Sequence, residues 1–499
     1  MEIATLARRE KQLDTASSAL AQAKSLELRY RLDCDTETKI QQAKLYWARE
    51  NHFKALLFLQ EITSSTVTPE TRPGAARLLM LEGKWLEKTG QKSYDEVIEH
   101  YKRVIELAPE WEKAYLALAK FLDELLQQNV FITTTETYET QNGKCPSPMV
   151  HIRYLSQCLE NYGKSLLHGH RFVYLSMPRL LTLWFDDCGV LAVYKKLQGK
   201  IETERNIVKG KMKNLQEKLP AYLWITCFPQ LVSSICQADY IYPILNEILF
   251  SVLCKYPQQS FWALEAASKS KDRKRNERAR EILERAKRSS LTMKKFLEPA
   301  SALCNFMLAL ADPNSSKAKD QFQLSKTKTL KDILKLLPLN LIAPLQASMI
   351  VTLPTGTVDQ STYQPFPDQL PRIQGIQDKI EIMKSVVKPR KVVVVGDNGK
   401  EYPFLCKPKD DLRKDARIMD FNNVLNKIFQ QNPESRKRHL HIRTYSVVPL
   451  DETCGLIEWV QNTAGFRSIL EKMMTQHYPV DSLRVRIYIH PGPFSDNIE

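Results

Sequence analysis

The chain has 499 residues, 43% of them hydrophobic and 26% charged, which suits two or three ordinary domains with sizeable cores. The net charge is +15, but only KDRKRNERAR at 271–280 is densely basic; this reads as a solvated helix face, and direct nucleic-acid binding is not expected. Ten cysteines with no CxxC pair and no opening secretory segment argue against a disulfide framework, and the longest apolar stretch is broken by Pro338, Asn340, Pro344 and Gln346, so no membrane-spanning helix is expected.

Residues 1–310 read as helix after helix, with apolar residues at spacings of three and four and few glycines to bend the chain otherwise. KIQQAKLYWARENHFKALLFLQEI at 39–62 has a helix-turn-helix rhythm with Asn51 at the turn. In SYDEVIEHYKRVIELAPEW at 93–111, Tyr94, Val97, Ile98, Tyr101, Val104 and Ile105 form one stripe, and Pro109 stops the helix. The next helix turns Tyr115, Leu118, Ala119 and Leu122 inward. The pair is similar to a tetratricopeptide repeat, so a degenerate α-solenoid is expected. Residues 311–373 form a connector, proline-rich over 354–372.

After residue 390 the pattern changes. KVVVV at 391–395 is a strand, GDNG at 396–399 a turn, and EYPFLCK at 401–407 the return strand. DDLRKDARIMDFNNVLNKIF at 410–429 is a helix with Ile418, Phe421, Leu425 and Ile428 on one face, and Asp410 and Asp411 suit its positive N-terminus. HLHIRTYSVVPL at 439–450 and GLIEWV at 455–460 are two further strands. Holding ATP requires a turn over the phosphates, a lysine at the α/β-phosphates, a carboxylate to steady that lysine, and a strand edge for adenine. GDNG, Lys407, the Asp410–Asp415 stretch and the backbone at Glu458–Val460 supply these in order.

FLCKPKDDLRKD at 404–415, LHIRTYSVVPL at 440–450 and GLIEWVQNT at 455–463 resemble the phosphatidylinositol-3-kinase-related protein kinases, in particular the branch acting in the DNA-damage and replication checkpoint. YPQQSFW at 256–262 and LQASMIVTLPTG at 345–356 resemble that branch too, and the helical part is similar to the FAT domain preceding the kinase. The resemblance implies a mainly α protein: a TPR-like FAT solenoid at 1–310, a connector at 311–373, an α+β kinase N-lobe at 374–472 and a divergent tail at 473–499. It makes Gly396, Asp397, Asn398 and Gly399 the phosphate-covering turn and Lys407 the phosphate-binding lysine. Asp410 is then its partner, Asp415 and Tyr445 line the inner pocket, and Glu458, Trp459 and Val460 form the adenine hinge.

The resemblance further implies ATP as cofactor, with Mg²⁺ or Mn²⁺ only in a complete kinase domain, and Ser/Thr-Gln protein substrates in the nucleus. It also implies protein partners on the solenoid, homodimers among the expected assemblies. The 499 residues contain no DRH triplet, and Asp420-Phe421-Asn422 lies inside the N-lobe helix, so no catalytic or metal-binding residue is assigned. The chain alone is expected to be inactive. The alternative function is a non-catalytic helical scaffold.

Overall fold

A computed structural model describes residues 1–30, 35–65, 72–127, 137–140, 143–146, 148–193, 198–312, 320–327, 331–356, 362–466, 469–470 and 473. Of the tail expected at 473–499, residues 474–499 lie outside the described residues. A long helical body leads into a small antiparallel sheet, as the sequence pattern requires.

In the body, Asp35–Ala48 and His52–Ser65 pair around a turn at Asn51, whose side chain accepts from Lys54 N–H. Helix Tyr94–Leu107 starts with a capping box: Ser93 Oγ accepts from Glu96 N–H at 3.3 Å, and the Glu96 carboxylate accepts from Ser93 N–H at 3.0 Å. Val97, Ile98, Tyr101 and Val104 are buried as the stripe demands, whereas Tyr94 is half-exposed at the helix start. Its partner Glu112–Gln127 buries Tyr115, Leu118, Ala119 and Leu122, and Tyr115 stacks on His168 of the following helix. Three helices meet at Asp123, 5% exposed. Its carboxylate accepts from Arg179 Nε and Nη2 at 2.7 and 2.6 Å and from Tyr162 Oη at 3.1 Å.

A short hairpin, β1 (Thr137–Thr140) and β2 (Gly143–Pro146), interrupts the helices. The main sheet contains β3 (Gln321–Gln323), β4 (Ile373–Ile376), β5 (Lys379–Ile382), β6 (Arg390–Gly396), β7 (Glu401–Pro408), β8 (Val447–Pro449) and β9 (Cys454–Glu458). Its order is β3-β5-β6-β7-β9-β8, with β4 also pairing with β6. The sheet therefore draws one strand, β3, from inside the connector. The rest of the connector is tied to the body by YPQQSFW: Gln258 donates to Asn340 O and accepts from Ile342 N–H, and Gln259 donates to Ser348 O.

Alternation gives the sheet two unlike faces. Val392, Val394, Phe404, Cys406 and Leu456 are buried and share one core with helix Leu291–Ala311. Two polar ties fasten that contact. Arg390, 2% exposed, donates to Ala311 O at the helix C-terminus, and the Cys406 thiol donates to Met307 O.

One expectation needs correction. Within 439–450 only Val447–Pro449 is strand, because Ile442 and Thr444 instead bond to Asn426 and Asn423 of helix Arg413–Gln431. On that helix Ile418, Phe421 and Ile428 are exposed and Leu425 is half-buried. Asn426 exchanges two bonds with Ile442 and Lys427 donates to Val351 O, and these ties fasten the helix to its neighbours.

Candidate functional site

The open face of the sheet is set by register. Lys391 pairs with Leu405 and Leu405 with Ile457, while Lys407 lies opposite Gly455. A Cβ on Gly455 would stand 2.7 Å from Val448 O and 2.8 Å from Leu412 Cδ1, so only glycine lets the strands close here. Lys407 thus projects from the end of β7 on the half-buried face, where its ammonium forms an ion pair with Asp410. Asp410 is held in turn by its N–H donating to Thr453 O, at a reversal where Lys409 adopts φ of +55°.

Glu458 ends β9 opposite Phe404, and Trp459 and Val460 follow it at the other end of the sheet from Lys407. The Glu458 carboxylate accepts from Gln346 N–H at 2.8 Å and Ser446 N–H at 2.9 Å, which ties the end of β9 to the connector. Glu458 N–H donates to Ser446 O and Trp459 N–H to Pro403 O. Val460 N–H has no acceptor among the described residues, which leaves an open backbone donor at this edge. The Trp459 ring lies 5.0 Å from the Lys391 ammonium. Tyr445 is half-buried beside this segment, and Asp415 is exposed in the first turn of its helix without an ion pair among the described residues. Asp420 is exposed on the same helix, 3.7 Å from Arg417.

The Gly396–Gly399 turn is not brought to Lys407. Val395 pairs with Glu401, six residues up β7 from Lys407, a span of about 20 Å. Its groups are also committed internally: Asp397 exchanges bonds with Arg372, Gly399 N–H donates to Gly396 O, and Asn398 Oδ1 accepts from Lys400 N–H. The loop that shares the Lys407 end of the sheet is β5–β6, because Arg390 pairs with Cys406. This loop is closed by Met383 N–H donating to Pro389 O and carries exposed Lys384, Ser385 and Lys388, with Val386 wholly in solvent. Sequence reasoning missed it because KSVVKP contains no glycine; the two lysines and the serine before a β-branched run were the available signal.

Among the described residues no cluster of three His, Cys, Asp or Glu side chains could hold a metal, and no helix is long and apolar enough to cross a membrane. The basic helix Arg273–Ser289 spends its charge locally, in ion pairs Arg273–Glu277, Lys274–Asp239, Arg285–Glu247 and Lys287–Glu284.

The FAT domain family matches residues 1–182, the family described as "Serine/threonine-protein kinase ATR-like, HEAT repeats" matches 207–304, and "Phosphatidylinositol 3- and 4-kinase" matches 401–490, running into the 473–499 tail. Serine/threonine-protein kinase ATR of Oryza sativa subsp. indica is 37% identical over 82% of this chain. The chain belongs to the ATR-like phosphatidylinositol-3-kinase-related protein kinases. Protein kinase rad3 of Schizosaccharomyces pombe is 30% identical over 98% of the chain. The chain spans 16% of the length of the rice relative and 21% of the yeast one. The FAT and kinase domain of CtTel1 has the same fold, with a TM-score of 0.73 at 18% identity, covering 95% of this chain and 34% of that structure.

Proposed function

We propose that the 374–472 unit is the nucleotide-contacting lobe of an ATR-like checkpoint kinase, carried on the FAT-type body at 1–310 through the 311–373 connector. The observation that carries this is the Lys407–Asp410 pair on the open sheet face, with the Trp459–Val460 segment at the other end of the sheet. Lys407 would meet the α/β-phosphates of ATP, steadied by Asp410, and Trp459 would cover the adenine while Val460 N–H donates to it. Lys384, Ser385 and Lys388 of the β5–β6 loop take the phosphate-covering role. Bound ATP with its Mg²⁺ or Mn²⁺ supplies the phosphoryl group. The residues of this chain orient it and neutralise its charge.

The whole protein is read as a nuclear Ser/Thr-Gln kinase of the DNA-damage checkpoint, acting on protein substrates and dimerising through the helical body. The 499 residues carry no DRH triplet, so this chain alone is expected to transfer no phosphate. Photo-crosslinking with azido-ATP tests the nucleotide face: labelling should fall at least tenfold in Lys407→Ala and in Lys384→Ala/Lys388→Ala. Equal labelling of all three proteins would refute the assignment. Phosphorylation of a Ser-Gln peptide by the purified chain would refute its inactivity.

A further inference from the structure

A cavity lies behind the N-lobe. It has a volume of about 880 Å³ and runs between helices Phe228–Ser233 and Pro257–Ser268, connector residues 346–351 and helix Arg413–Gln431. Lys407, Trp459 and Val460 do not line it, so it is separate from the nucleotide face. Phe228, Trp262, Met349 and Val424 give it apolar walls, and its volume falls within the roughly 300–1,000 Å³ of small-molecule sites.

The polar groups in these walls are unevenly satisfied. Arg413 is shared between Asp411 and Glu452, Asp451 accepts from Thr453, and Asp420 lies 3.7 Å from Arg417, so the lining holds five cations, Arg275, Arg413, Lys414, Arg417 and Lys427, against these four carboxylates. Three lining cations, Arg275, Lys414 and Lys427, have no carboxylate within ion-pair distance among the described residues. Lys427 sits 3.7 Å from the Tyr174 ring centroid and donates to Tyr174 Oη and Val351 O, both uncharged. Apolar walls with surplus positive charge complement a molecule with an apolar body and an anionic head.

We propose that this cleft binds a small amphiphilic anion, an aromatic or aliphatic body bearing a carboxylate, sulfonate or phosphate, with Lys427 as its principal cation. Its walls come from the helical body, the connector and the N-lobe helix together. An occupant therefore fastens the Arg413–Gln431 helix to the body.

The test uses the full 499-residue chain and two probes of like shape, anionic 8-anilinonaphthalene-1-sulfonate and uncharged N-phenyl-1-naphthylamine. The sulfonate should bind saturably at one site and protect Lys427, but not exposed Lys437, from acetylation by N-hydroxysuccinimidyl acetate, read by mass spectrometry. Lys427→Gln should weaken sulfonate binding at least tenfold and the neutral probe less than threefold; exposed Lys414→Gln, which carries no folding risk, should weaken the sulfonate alone. Non-saturable binding, or no protection of Lys427 in the unmodified chain, overturns the site. An equal loss for both probes overturns its anion selectivity.

Discussion

Two residues show how local chemistry constrains the lobe. Gly455 lies opposite Lys407, and an added methyl there meets backbone and side chain at under 3 Å. Gly455→Ala should cost about 1–3 kcal/mol, seen as a lower thermal midpoint, and should weaken azido-ATP labelling because β9 can make room only by shifting against β7. Lys427 is the second case. Burial beside the Tyr174 ring pushes its ammonium down to about 8, while the same burial pushes the Tyr174 hydroxyl up, so the tyrosine stays neutral. Between pH 8 and the ordinary lysine value near ~10.4 the unfolded chain holds a proton that the folded chain has released. Stability should therefore rise with pH across that window relative to Lys427→Met, measured as the difference in urea midpoints at pH 7.5 and 9.5. A difference that is flat or falls with pH would remove the desolvated lysine from the account. Lys407 and Asp410 were both legible in the sequence, since a lysine ending a strand and an acid three residues on need only local geometry. The demand for Gly455 was not, because it arises from Val448 and Leu412, which only the folded sheet brings close.

At the scale of elements, regular periodicity was read well and special loops were not. The stripe at 93–111 becomes helix Tyr94–Leu107, and its capping box secures the start. Ser93→Ala should cost about 1 kcal/mol in chemical denaturation. Glu96 is drawn down to about 2 by Lys92 and by the Ser93 N–H and hydroxyl. Its contribution is therefore present above the ordinary carboxylate range and fades as pH falls toward 2. The Gly-Asp-Asn-Gly turn misled because glycine marks permissive backbone, and a hairpin needs that at either end. Only strand register shows that this turn points away from Lys407 while the glycine-free β5–β6 loop points toward it. In the Arg413–Gln431 helix the shared face of Ile418, Phe421, Leu425 and Ile428 was legible, but the tie at Asn426, whose amide exchanges two bonds with Ile442, was not, because it needs a segment 16 residues on to be folded back.

For the whole molecule, the order of helical body and kinase lobe was legible from the switch between period 3.6 and period 2. The dependence of one on the other was not, since no sequence pattern states which helix lies under a sheet. Helix Leu291–Ala311 belongs to the body by chain order, yet it covers the inner face of β6, β7 and β9. Val392, Val394, Phe404 and Leu456 each gain about 1.5–3 kcal/mol from burial there. Together that approaches the roughly 5–15 kcal/mol that holds a whole domain folded. Arg390 adds direction by donating to Ala311 O at the helix end, a tie that is lost when the helix is absent. A fragment of residues 320–473 should therefore be soluble only as a collapsed, dye-binding state without a cooperative melt. Extending it to 286–473, which restores Ser290 as the helix cap and the helix itself, should recover a single sharp transition. If the shorter fragment melts as sharply as the longer one, the lobe folds independently, and the helical body carries the kinase lobe without completing its core.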